Sequence, residues 1–146
     1  MLFDLSFRRH GALLIYDPNK EVVKHVVNRR AVIGDDQPDG IHKILAADVH
    51  RLAIGQGMDG LGSRKKLLIE LASIDGAVIF DNEKILAFGA IIESHPKAGQ
   101  ESGARTTAAI SAYHWGGKPM KVSSDGEITL YFRNLHDGSM AEMGFL

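Results

Sequence analysis

The hydrophobic positions of this chain fall into short, nearly unbroken runs and into helically spaced sets, and polar stretches rich in breakers separate them. Ala12-Leu13-Leu14-Ile15-Tyr16 is an unbroken run, as in a strand buried on both faces. Asp17-Pro18 then has the form of an N-cap followed by proline at the first helical position, which predicts a short helix over 21–27. Residues 34–40, Gly-Asp-Asp-Gln-Pro-Asp-Gly, form the clearest loop of the first half. Ile41, Ile44, Leu45, Val49 and Leu52 recur at helical spacing and predict an amphipathic helix over 41–52. Ser63 makes an N-cap for a second helix over 64–74, with Leu67, Leu71 and Ile74 on its inner face.

At Asp75-Gly76 the helical pattern breaks and a strand begins at once over 77–80. A turn at 81–84 and a second apolar arm over 85–92 complete a hairpin. Residues 93–101 are polar and breaker-rich, predicting an exposed loop beside the hairpin end. A helix over 104–114 follows, with Ala109, Ile110 and Tyr113 inward, and Gly116-Gly117 stops it. Strands over 119–122 and 127–132 flank Asp125-Gly126 as a closing hairpin, and 134–146 reads as a polar tail. The alternation predicts a single α/β domain over residues 1–146, with a mixed central β-sheet flanked by helices.

Candidate chemistry concentrates at the helix-to-strand junction. Asp75 is the only charged residue between Glu70 and Asp81, and the glycine after it lets a backbone or ligand come close. A carboxylate there can hold a metal or a ligand hydroxyl; equally, Asp-Gly can be a plain turn. Ser102-Gly103 opens a helix whose free amides can receive an anion. Gly55-Gln56-Gly57-Met58-Asp59-Gly60 spells a dinucleotide fingerprint, but it follows a predicted helix rather than a strand and reads as a connector. Arg64, Lys65 and Lys66 crowd a helix start against its dipole; a nearby anion would relieve them, and a solvated face also accommodates them. His42, Asp48 and His50 lack the spacing of a two-histidine metal site and read as surface residues. Tyr113, His114 and Trp115 can stack a base or pack a helix end.

Composition narrows the partners. With 146 residues and 45% apolar content, one core can bury about two-thirds of the unfolded surface. Seventeen basic and 18 acidic residues leave a formal charge of −1, so neither direct nucleic-acid binding nor attachment to an anionic membrane is expected. The absence of cysteine removes disulfides, thiolate catalysis and cysteine-held metals. No apolar run approaches the roughly 18 residues of a membrane span, and Asp4, Arg8 and Arg9 interrupt any signal-peptide core, so a cytoplasmic protein is expected.

Four landmarks in order carry a family resemblance. Gly11-Ala12-Leu13-Leu14-Ile15, then Leu71-Ala72-Ser73-Ile74-Asp75-Gly76-Ala77-Val78-Ile79, then Ser102-Gly103-Ala104-Arg105, and finally Val122-Ser123 with Ile128-Thr129-Leu130-Tyr131 resemble the diadenylate cyclase domain. This is the family of the DNA-integrity scanning protein DisA and the membrane-linked cyclases. The resemblance spans about residues 10–132. It implies that Asp75 helps bind a catalytic Mn²⁺ or Mg²⁺ and the reactive ribose hydroxyl, with Gly76 and Ala77 lining the nucleotide. The second family signature, Gly-Thr-Arg-His-Arg, is here Gly103-Ala104-Arg105-Thr106-Thr107. One arginine is kept as Arg105, while threonines stand at the histidine and second-arginine positions and alanine at the threonine. His95 and Lys97, in the loop that would flank the nucleotide, are candidate replacements for a lost phosphate contact.

The family reaction joins two ATP molecules into cyclic di-AMP: each 3′-hydroxyl attacks the other nucleotide's α-phosphate across two facing domains, and pyrophosphate leaves. Losing one preorganised donor typically costs about 3–4 kcal/mol in rate, and at least two of the three signature side chains are absent here. The resemblance with these departures implies a nucleotide-binding sensor domain, catalytically weak or inactive. The alternatives are an active cyclase and a scaffold in which a vestigial pocket serves oligomerisation or partner docking.

Overall fold

The computed structural model describes residues 2–33, 69–99 and 103–145. The helix expected over 41–52, with His42, Asp48 and His50, lies outside these residues, as do Gly55–Gly60, Arg64–Lys66 and Ser102. In chain order the elements are α1 (Leu2–Phe7), β1 (Ala12–Tyr16), two short 3₁₀ turns (Val22–His25 and Arg29–Ala31), β2 (Ala77–Phe80) and β3 (Ile85–Ala90). A 3₁₀ turn (Pro96–Ala98), α2 (Ala104–His114), β4 (Lys118–Val122), β5 (Ile128–Arg133) and β6 (Met140–Phe145) complete them.

The six strands make one sheet in the order β3-β2-β1-β4-β5-β6. Only β1 and β2 run parallel, with Leu13 opposite Ala77 and Ile15 opposite Ile79; every other pairing is antiparallel. The unbroken apolar run of β1 has the cause its pattern implied, because both faces of this strand are covered. Leu13 and Ile15 point into a core with Ala77, Ile79, Ala109, Ile110 and Ala112, so α2 lies on that face. Ala12 and Leu14 point to the other face, where Leu5 of α1 packs with Ile69, Leu71, Ala72, Val78 and Val122. The mixed sheet flanked by helices is therefore as predicted.

Three local expectations are corrected. Residues 134–146 are not a tail: Met140–Phe145 pair with β5 along its whole length as the sheet's edge strand. The short helix expected over 21–27 is a single 3₁₀ turn, and its cap works differently from the predicted form. The fully buried Asp17 carboxylate accepts the amides of Glu21 and Val23, each at 3.0 Å, reaching over Pro18 rather than placing it inside a helix. Ile74 is 46% exposed, because the helical turns end at residue 72 and the chain has already left the core face.

Candidate functional site

Asp75 to Ala77 form the entry to β2, and the local geometry explains the glycine. Gly76 has φ 110°, and a Cβ there would meet the carbonyl carbon of Gly89 at 2.5 Å. The end of β3 therefore lies directly against the junction. Asn28 locks that end in place: its amide group donates to the Gly89 carbonyl at 2.9 Å, and its side-chain oxygen accepts from the Ile91 amide at 2.8 Å. One side chain thereby imitates a strand neighbour for β3.

Facing this wall is the start of α2. Gly103 is its N-cap, at φ 111°, and has no side chain with which to cap the first turn. An 11-residue helix opened in this way leaves backbone N–H groups and the positive end of its dipole free for an anion. Arg105 rises from that first turn, and among the described residues its buried Nε has no hydrogen-bond partner.

Between the walls lies a cleft of about 870 Å³. Asp75, Gly76, Ala77, Gly103, Arg105 and Thr107 all line it, together with Leu13, Asn28, Gly89, Ile91, Ile92 and Ser94. Residues separated in sequence by the whole hairpin and its following loop thus share one cavity. Its chemistry is mixed: Ile91 and Ile92 offer an apolar wall, Asp75 an exposed carboxylate and Arg105 a permanent cation.

Three of the predicted residues stand elsewhere. Thr106 is not in the lining; its hydroxyl accepts from Lys121 Nζ at 3.2 Å on the β4 side. His95 and Lys97 are also outside it. His95 caps the 3₁₀ turn by accepting the Lys97 amide on Nδ1 at 3.0 Å, and its own amide donates to the buried Ser111 hydroxyl. The aromatic residues after α2 pack with this loop. His25 stacks on Trp115 with centroids 3.5 Å apart, His95 stands edge-on to Trp115 at 4.4 Å, and His114 stacks on His95 at 5.0 Å. Burial, followed by the charges of His95 and Lys97, holds the His114 imidazole below its ordinary value.

Asn28, Gly89 and Ile91 were missed by sequence reasoning. Nothing near Asn28 in the chain marks it, since its partners lie more than sixty positions away. Gly89 carried one available signal, a glycine interrupting an apolar strand, which often marks a close backbone approach.

The cleft suits a divalent ion only in one manner. Among the described residues no three His, Asp or Glu side chains gather as a metal cage. Asp75 is a single carboxylate at the cavity edge, which fits Mg²⁺ or Mn²⁺ held jointly with a ligand's phosphates and water. No helix among the described residues is long and apolar enough to cross a membrane.

No protein-family model matches the sequence, and no curated protein matches it. Among solved structures, the chain is similar to DacA from Staphylococcus aureus, crystallised as a double mutant, with TM-score 0.53 and 20% identity over 97% of this chain and 79% of that one. It is also similar to a hypothetical membrane-spanning protein from Bacillus cereus, with TM-score 0.50 and 18% identity over 97% of this chain and 59% of that one. With its six-stranded mixed sheet and its cleft between the β2 entry and the start of α2, the chain has a diadenylate cyclase-like fold.

Proposed function

We propose that this domain binds a nucleotide, ATP or a cyclic dinucleotide, and serves as a sensor with little or no cyclase chemistry. The observation that carries the reading is the way the cleft divides the signature residues. Asp75 and Gly76 lie on one wall with Gly103, Arg105 and Thr107 on the other, while Thr106 is engaged by Lys121 outside it. The carboxylate of Asp75 suits a ribose hydroxyl or a phosphate-bound Mg²⁺ or Mn²⁺. Arg105 and the uncapped amides of α2 suit phosphate oxygens. Binding needs those groups alone. Phosphoryl transfer needs several cations aimed at the charge that develops on the phosphates, and among the described residues Arg105 is the one cationic side chain in the cleft lining.

ATP or cyclic di-AMP should therefore raise the thermal stability of the protein, by about 2.7 kcal/mol at 100 times its Kd. Asp75→Asn and Arg105→Ala should each weaken binding about tenfold or more, as expected for losing a charge-assisted contact. Incubation with ATP and Mn²⁺ should yield no cyclic dinucleotide. Product that Asp75→Asn abolishes would instead establish an active cyclase. A chain that no nucleotide stabilises would be a scaffold.

A further inference from the structure

We infer that Gly11, a residue outside the lining of the cleft, is the seat that orients Arg105, and that it thereby sets the preference of the cleft for phosphorylated ligands. The inference rests on the nucleotide reading and deepens it. A Cβ built on Gly11 would lie 2.5 Å from Arg105 Nη1, 2.8 Å from Cζ and 3.3 Å from Nε. Three atoms of the guanidinium thus occupy the volume that any other residue's side chain would claim. Conformation is not what requires glycine here, because Gly11 is absent from the positive-φ glycines and its backbone accepts an L-residue. Space is what requires it.

The seat matters because Arg105 has no polar partner to fix it among the described residues. There its buried Nε has no acceptor and no carboxylate pairs with the guanidinium. An arginine held by an acid would have to break that pair to bind a ligand. One held by packing keeps its donors for an anion and arrives already oriented. Gly11 adjoins β1, the strand flanked by both β2 and β4, so the seat is built on a rigid element rather than on a loop. Leu13, two residues further on, lines the cleft itself.

A double-mutant cycle tests the assignment, with titration of ATP and adenosine against wild type, Gly11→Ala, Arg105→Ala and the double variant. Gly11→Ala should weaken ATP about ten- to a hundredfold, as for loss of a charge-assisted contact, and leave adenosine unchanged. In the Arg105→Ala background the same substitution should have no further effect. Equal weakening of both ligands, or an undiminished effect without Arg105, would overturn the inference.

The unliganded protein gives a second readout. The Arg105 Nε–H resonance should exchange slowly with solvent in wild type and rapidly in Gly11→Ala; unchanged protection would refute the seat even if no nucleotide bound. A wild type that binds neither ligand but shows this change would refute the nucleotide reading and leave the seat standing. If Gly11→Ala fails to fold, the double variant should recover folding because truncating Arg105 empties the contested space. Failure of both would make Gly11 a backbone requirement instead.

Discussion

At Gly76 a side chain is forbidden twice. The backbone has φ 110°, a region that L-residues enter at a cost, and the atoms a Cβ would strike are the Gly89 carbonyl and the Ala90 amide nitrogen, at 2.5–2.9 Å. Gly11 presents the opposite case, since what blocks it is the movable end of an arginine. Backbone cannot swing aside as a guanidinium can. Gly76→Ala should therefore lower unfolding free energy by about 2–4 kcal/mol, combining backbone strain with overpacking. Gly11→Ala should change it by less than about 1 kcal/mol, because the neighbour yields. Urea unfolding of the two variants side by side checks this, and equal midpoint shifts would contradict it. The functional expectation runs the other way, with Gly11 governing ligand choice and Gly76 governing whether the cleft exists.

At the scale of elements, α2 holds the loop before it. Its Ser111 hydroxyl receives the His95 amide, and Trp115, just beyond its end, donates to the Glu93 carbonyl at 3.1 Å. His114 stacks on His95 in the same contact and, under burial and the charges of His95 and Lys97, takes up a proton less readily than in the unfolded chain. Below the ordinary imidazole value of about 6.5 the unfolded state binds the extra proton first. This contribution to stability is complete above that pH, declines as pH falls through 6.5, and levels off once His114 protonates in the folded protein. Urea midpoints from about pH 8 to pH 5 should fall for wild type and fall less for His114→Gln. Parallel curves would show that His114 is not the group responsible.

Elements whose pattern is local were legible in the sequence. The apolar run of β1, the arms of the β2–β3 hairpin and all of α2 stand where hydrophobic spacing put them, since each pattern is set by burial that the element itself reveals. β6 was not legible: its residues are mostly exposed or half-buried, so an edge strand with Glu142 and Gly144 reads as coil. α1 is only six residues long, too short for a helical period to register. In the candidate cleft, the family landmarks pointed to Asp75, Gly76, Gly103 and Arg105, which line one cavity, whereas the contacts of Asn28 and the approach of Gly11 to Arg105 depend on pairings across the fold that no local window contains.

Across the whole molecule, the order of the sheet separates near neighbours from distant ones. β4, β5 and β6 follow one another in sequence and in space. The cleft needs the other kind of pairing, for Asn28 must meet Ile91 across 63 positions, and β1 must meet β2 in parallel. The entropy lost in closing a loop grows with its length, so contacts of this sort are the slow ones in folding. Pulse-labelled hydrogen exchange during refolding should find the β5–β6 hairpin protected before the amides of Val27 and Ile91, and simultaneous protection would contradict that order. That order would make the cleft a late product of folding, so that a half-formed chain would have the central strand but not yet the pocket beside it.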